Sequence, residues 1–123
     1  MTFALWSILI AWLIAMISGT YAKASKDFDN NNPREYFSHL EGKRARAVAA
    51  MANGFEGFPL FASAVIIAHM INGPQTAVNL LALGYLISRI VFAALYIAGK
   101  GTQRSAVWII GFACIIGIFI AAA

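Results

Sequence analysis

The chain has 123 residues, of which 61% are hydrophobic and only 11% are charged, and its formal net charge is +4. Soluble domains contain about half apolar and about a quarter charged residues. The composition therefore excludes a disordered chain, a nucleic-acid-binding tail and an ordinary water-soluble enzyme domain.

The charged residues cluster, and the apolar segments that they leave are predicted membrane helices. Ten of the fourteen Asp, Glu, Lys and Arg residues lie between Lys23 and Arg46. A helix of about 20 apolar residues crosses a hydrocarbon core of about 30 Å and satisfies its own backbone hydrogen bonds. The sequence predicts a single all-α domain, a bundle of four membrane helices joined in part by a polar loop at 23–46. The predicted helices cover 3–21, 47–71, 77–98 and 105–121.

The first apolar segment has a second interpretation, a cleaved secretory signal. Ala22-Lys23-Ala24 resembles a small-x-small cleavage site. However, no basic residue precedes the segment, and its apolar run is longer than that of a normal signal. A retained helix is therefore favoured.

The polar loop contains a helix-start signal. Asn32 stands at a typical N-cap position and Pro33 at the first helical position, which predicts a short helix from Arg34 to Glu41. Its aromatic side chains would insert into the membrane interface. A solvated loop that carries the same anchors is an equal alternative.

Basic residues predict the orientation of the bundle. Every Lys and Arg except Arg89 lies in or beside the first and third loops, whereas the second loop, 72–76, has none. By the positive-inside rule the basic loops are cytoplasmic, and both termini lie on the opposite side. The basic charge then predicts contact with anionic lipid head groups and no nucleic-acid partner.

Two charges interrupt the apolar segments at similar depths. Glu56 lies ten residues past Arg46, about 15 Å into the membrane, and Arg89 lies nine residues before Ala98, about 14 Å in. Because an isolated charge in a membrane is costly, the sequence predicts an ion pair between Glu56 and Arg89. One interpretation is that this ion pair is purely structural and holds the two helices together.

Further polar residues share the faces of these two charges. Helical spacing puts the polar residues of each helix on one face that rises toward the cytoplasm. They predict one polar cavity, lined by Arg46, Asn53, Glu56, Arg89, Tyr96, Arg104 and Ser105. Arg104 has an alternative role as a rim arginine that extends toward lipid head groups.

No metal site is predicted. His39, His69 and Cys114 lack the spacing of zinc ligands. A lone cysteine also excludes an intramolecular disulfide.

Several of these stretches together resemble a known family. Residues 46–61, RAVAAMANGFEGFPLF, resemble the helix-two signature of the MAPEG family, membrane-associated proteins in eicosanoid and glutathione metabolism. Residues 89–96, RIVFAALY, and the Arg104-Ser105 pair look like its helix-three and helix-four patterns. The loop segment 32–35, NPRE, looks like the bacterial branch.

The resemblance implies a homotrimer of four-helix subunits in a bacterial inner membrane, with sites between subunits near the cytoplasmic face. In the family's enzymes, glutathione binds there, and an arginine and a serine at the start of helix four act on its thiol. The implied catalytic residues are Arg104 and Ser105. The implied glutathione-binding residues are Asn53, Glu56, Arg89, Tyr96 and Arg46.

The chain departs from the family at several positions. Members that bind glutathione tightly have cationic residues where this chain has Ala49, Met51 and Ala52. A histidine of some members is Phe92 here, and a tyrosine is Trp108. Because the two carboxylates of glutathione need cationic partners, these departures predict weaker binding.

Three functions follow as hypotheses. The first is a glutathione-dependent transferase or peroxidase that acts on lipophilic electrophiles or lipid hydroperoxides. The second is a non-catalytic lipid-binding or scaffold membrane protein. The third is a small proton-coupled exporter, which the predicted pairing of Glu56 disfavours because such exporters need an accessible, unpaired acid.

Overall fold

Five helices form the structure, a computed structural model that describes residues 1–123 and contains no strand. Four of them are long and apolar enough to cross a membrane. They are α1 (Phe3–Lys23), α3 (Gly42–Met70), α4 (Gln75–Ile97) and α5 (Gly101–Ala122). The remaining helix, α2 (Pro33–Ser38), lies between α1 and α3. The predicted all-α membrane fold with four spans is confirmed.

The helices that follow basic loops begin earlier than their apolar segments. The sequence predicts starts at 47 and 105, whereas α3 begins at Gly42 and α5 at Gly101. Hydropathy marks where a helix becomes apolar, and Lys and Arg, which are good helix formers, extend it into the water. The first turns of α3 and α5 are therefore polar.

The loop between α1 and α3 contains the short helix and packs on itself. Asn32 precedes α2, but its amide does not cap the helix and donates instead to the carboxylate of Asp29 at 3.2 Å. The ring of Phe28 contacts that of Tyr36 edge to face, with centroids 5.1 Å apart, and lies 6.3 Å from that of Phe37. The aromatic residues of the loop thus form a cluster.

Small residues bring α1 and α3 close together. The buried face of α1 consists of Ala4, Ser7, Ala11, Ala15, Ser18, Gly19 and Ala22. Small side chains let the backbones of membrane helices approach, which increases dispersion contact. On α3, Gly54 faces this surface, and a Cβ at position 54 would lie 2.7 Å from the Cβ of Ala15.

An aromatic pair joins α3 to α4 in the core. Phe61 and Tyr85 are buried, and their rings stack with centroids 4.0 Å apart. Ile115 and Ile118 complete this core from α5, which packs closely along α4. Many large apolar side chains on all four long helices face outward, as expected for contact with lipid or with another membrane protein.

The close approach at Gly54 predicts a stability effect. Gly54→Ala should lower the thermal unfolding temperature of the detergent-purified protein, because overpacking costs about 1–3 kcal/mol. Gly101→Ala is the matched control, since nothing lies within 4 Å of its added Cβ. Equal unfolding temperatures for the two variants would show that α1 and α3 do not pack in this way.

Candidate functional site

A buried cation links α3 and α4. Arg89 has only 8% of its surface exposed. Its Nη2 donates a hydrogen bond to Oδ1 of Asn53 at 3.0 Å, and the guanidinium carbon lies 4.2 Å from the ring centroid of Phe92. An amide oxygen and an aromatic face both stabilise a positive charge that has lost its water.

The predicted ion pair between Glu56 and Arg89 is wrong for this chain. No carboxylate oxygen lies within 4.0 Å of Arg89, and the single ion pair joins Arg44 to Asp27 in the loop at 3.9 Å. Glu56 is exposed on α3. The prediction matched the depths of two backbones, but the long arginine side chain extends to Asn53, about one helical turn before Glu56.

An inner cavity of about 210 Å³ lies between α3, α4 and α5. Glu56 and Arg89 both line it, as does the buried Tyr85 one turn before Arg89. The remaining walls are mainly apolar. The lining residues are Asn53, Glu56, Gly57, Leu60, Tyr85, Arg89, Trp108, Gly111, Phe112 and Ile115.

An outer cleft of about 380 Å³ lies beside the inner cavity, near the α4–α5 turn. It shares Asn53 and Trp108 with the inner cavity. Its lining residues are Asn53, Phe92, Tyr96, Arg104, Ser105, Trp108 and Ile109. The cleft therefore combines cationic, hydroxyl and amide groups with an apolar wall.

Arg104 is held against an aromatic ring in the outer cleft. Its guanidinium carbon lies 4.3 Å from the ring centroid of Tyr96, a cation–π contact. Arg104 is half-buried, whereas the neighbouring Ser105 is exposed. The structure thus puts a positioned cation and an accessible hydroxyl in the wall of the same cleft.

The N-terminus of α5 does not contribute at Ser105. Because α5 begins at Gly101, the backbone N–H of Ser105 lies one turn inside the helix. The N–H groups without a helical partner belong to 101–103. Any chemistry at the Arg104–Ser105 pair therefore depends on the two side chains.

Six of the seven predicted residues line one of the two adjoining spaces, and Arg46 lines neither. The Nε of Arg46 donates instead to the carbonyl oxygen of Ile97, at the end of α4, at 3.0 Å. Sequence spacing assigns a residue to a face of its helix but does not give the direction of its side chain. The contact of Arg46 with the end of α4 was therefore not predicted.

Among the lining residues that were not predicted are two aromatic residues with polar atoms, Trp108 and Tyr85. Trp108 borders both spaces and lies four residues after Arg104, and Tyr85 lies four residues before Arg89. That spacing puts each aromatic residue on the face of the polar residue. Extending the polar faces by one helical turn would have included both.

The comparisons with known proteins add one finding to this geometry. The sequence model of the MAPEG family matches residues 2–123, essentially the whole chain. The chain belongs to the MAPEG family. No curated protein and no solved structure matches it. In this MAPEG protein, the two spaces are lined by the motif residues of α3, α4 and α5.

The contacts of Arg89 predict which α3 residue it depends on. In double-mutant cycles with Arg89→Met, Asn53→Leu should show a coupling of about 1–3 kcal/mol, because Asn53→Leu leaves the buried Arg89 without its hydrogen-bond acceptor only while Arg89 is present. Glu56→Gln should show coupling near zero. The measurement is thermal unfolding of the detergent-purified protein. Strong coupling between Glu56 and Arg89 would support an ion pair between them and contradict this geometry.

Proposed function

We propose that this MAPEG protein is a glutathione-dependent transferase or peroxidase that acts on lipophilic electrophiles or lipid hydroperoxides. Membership of the family, which includes glutathione-dependent transferases, supports the class. The observation that carries the proposal is the outer cleft, where the guanidinium of Arg104 stacks on Tyr96 beside the exposed hydroxyl of Ser105.

The residues of the site fit glutathione in size and in kind. The outer cleft, at about 380 Å³, falls in the range of small-molecule sites, about 300–1,000 Å³. Arg104 and Arg89 offer cations to carboxylates, and Glu56 offers a carboxylate to an amino group. Asn53 borders both spaces and can hydrogen-bond to a peptide group.

Arg104 and Ser105 carry the chemistry in this proposal. When bound, glutathione supplies a thiol whose sulfur displaces a leaving group from an electrophilic carbon or, with a second thiol, reduces a hydroperoxide to an alcohol and water, forming a disulfide. A cation beside a sulfur lowers the thiol pKa, so Arg104 favours the thiolate, the form that reacts. The hydroxyl of Ser105 donates a hydrogen bond to the same sulfur.

The apolar wall of the outer cleft supports a lipophilic second substrate. Trp108 and Ile109 are exposed on α5, and the ring of Trp108 stacks on that of Phe112 with centroids 5.3 Å apart. In a membrane this wall faces the acyl chains or a neighbouring subunit. A substrate dissolved in the bilayer would therefore reach Arg104 and Ser105 without crossing water.

We further propose a homotrimer, an assembly common in the MAPEG family, and the polar residues of α3 that face outward within the membrane support a covered interface. Glu56 and Ser63 are both exposed on the single chain. A carboxylate in contact with hydrocarbon is costly, so such residues normally face protein or water. A neighbouring copy of the bundle would cover this face and enclose the open cleft, giving sites between subunits.

We also propose a location in a bacterial inner membrane, with the basic loops on the cytoplasmic side. The segment 24–41 and the turn 98–100 lie at one end of the bundle, and the loop 71–74 at the other has no Lys or Arg. The positive-inside rule then orients the outer cleft toward the cytoplasm, where a soluble thiol can enter.

A non-catalytic lipid-binding protein is the second candidate, favoured by the substitutions on α3. Ala49, Met51 and Ala52 supply no cation. Such a protein would keep the Asn53–Arg89 contact but bind no thiol. The predicted pairing of Glu56 no longer disfavours the exporter, since Glu56 is not paired with Arg89. Family membership nevertheless favours the first two candidates.

The proposed chemistry predicts the effect of removing one cation. Arg104→Gln should lower kcat/KM for glutathione conjugation of a model electrophile about 100-fold or more, the usual effect of losing a preorganised charge donor. Arg34→Gln is the matched control, because Arg34 is an exposed residue of α2 outside both spaces. Equal values of kcat/KM for the two variants would refute the role of Arg104. An inactive wild-type protein that binds no glutathione would favour the non-catalytic candidate.

The proposed trimer predicts a particle mass. Light scattering of the detergent-purified protein, corrected for bound detergent, should give three chains of 13.3 kDa each. A mass of one or two chains would contradict a trimer with sites between neighbouring subunits.

A further inference from the structure

Arg46 makes a long-range contact that binding glutathione would not require. It lies on the second turn of α3 and is half-buried. Its Nε donates a hydrogen bond at 3.0 Å to the carbonyl oxygen of Ile97, the last residue of α4. The contact joins residues 51 positions apart in the chain.

The acceptor of this hydrogen bond belongs to a tight turn. Gly99 has a φ of +78°, its N–H donates to Tyr96 O at 3.0 Å, and the N–H of Lys100 donates to Leu95 O at 3.0 Å. These two bonds form a Schellman motif, which leaves the carbonyl of Ile97 available. Arg46 therefore caps α4 with a donor and a positive charge, both of which are favourable at a helix C-terminus.

The guanidinium of Arg46 also packs against the turn itself. A Cβ placed on Gly99 would lie 3.6 Å from the Cζ of Arg46. The left-handed backbone at Gly99 and the nearby guanidinium thus fix the path of the chain between α4 and α5.

Both members of the Arg104–Tyr96 stack lie close to this turn. Tyr96 is the residue before Ile97, and the backbone N–H of Arg104 donates to Lys100 O at 2.9 Å. The stack itself holds the guanidinium of Arg104 4.3 Å from the tyrosine ring. Movement of the turn would therefore displace Arg104 relative to Tyr96 and the outer cleft.

We propose that Arg46 is a positioning residue, which fixes the α4–α5 turn through Ile97 and Gly99 and thereby holds Arg104 over Tyr96 beside Ser105. Its importance for catalysis rests on the proposed function. The geometry that it maintains exists in the protein without any ligand, so it can be tested without one.

A thiol placed beside Arg104 can report the position of that cation. Ser105→Cys introduces such a thiol, and Cys114→Ala removes the native one. Iodoacetamide alkylates the thiolate, so the rate at neutral pH divided by the rate at full ionisation gives the thiolate fraction. Taking this ratio removes differences between variants in how accessible the thiol is to iodoacetamide. All variants are made in this background and measured in the detergent-purified full chain.

Arg46→Gln should lower the thiolate fraction about 3- to 10-fold, because an opposite charge within about 4–6 Å lowers the pKa of an acid by about 1–3 units and a displaced Arg104 loses part of this effect. Arg104→Gln sets the full size of the effect. Lys43→Gln is the matched control, since it removes a positive charge from the first turn of α3 and should leave the fraction unchanged.

A double-mutant cycle shows whether Arg46 acts through Arg104. In the Arg104→Gln background, Arg46→Gln should produce no further change. If its effect is undiminished there, Arg46 acts by its own electric field and the positioning role is refuted. If Arg46→Gln leaves the fraction unchanged in the starting background, the role is refuted as well.

Two further results keep the test decisive. If Arg46→Gln does not fold, Arg46→Met replaces it, because methionine keeps an unbranched side chain but has no donor for the Ile97 carbonyl and no charge, and a thiolate fraction equal to that of the starting background would refute the role. Failure of the wild-type protein to bind glutathione would contradict the proposed function while leaving this measurement interpretable.

Discussion

Keeping the Arg89 guanidinium inside a helix bundle requires polar partners, because an uncompensated charge removed from water costs several kilocalories per mole. The structure supplies the amide oxygen of Asn53 from α3 and the ring of Phe92 from α4. The hydrogen bond from Arg89 to Asn53 joins α4 to α3 and places Asn53 where the inner cavity meets the outer cleft. The polar spaces of the bundle depend on this arrangement.

The resulting charge distribution favours anionic ligands. Arg89 in the inner cavity has no carboxylate within 4.0 Å, and Arg104 in the outer cleft stacks on an aromatic ring and not on an acid. Neither cation therefore forms an ion pair within the chain. In a bilayer, where few counter-ions are available, Arg104 in the outer cleft is the more accessible of the two to the acidic groups of a ligand.

The sequence was informative about segments and less so about side-chain partners. Hydropathy predicted four spans because the need for internal hydrogen bonding in lipid leaves few alternatives. Helical spacing brought Asn53, Tyr96, Arg104 and Ser105 to one cleft. The predicted ion pair between Glu56 and Arg89 was wrong, since a depth estimate locates a backbone and not the end of an arginine side chain.

Two other differences between the sequence-based prediction and the structure have the same origin. A hydropathy profile does not detect the polar first turn of a helix, so the start of α5 at Gly101 and the interior position of Ser105 were not predicted. Arg46 shares a face with Asn53, but its partner is the carbonyl of Ile97, which appears only when the α4–α5 turn is folded against α3. Long-range partners of flexible side chains depend on tertiary packing, which periodicity does not contain.

The central claim, that this MAPEG protein holds glutathione as a thiolate beside Arg104, is tested most directly by ultraviolet difference spectroscopy. Glutathione is titrated into the detergent-purified wild-type protein at a pH where the free thiol is protonated. Saturable thiolate absorbance that reaches a fixed ratio of thiolate to protein is the predicted result. Binding without thiolate absorbance, or no binding at all, would contradict the claim.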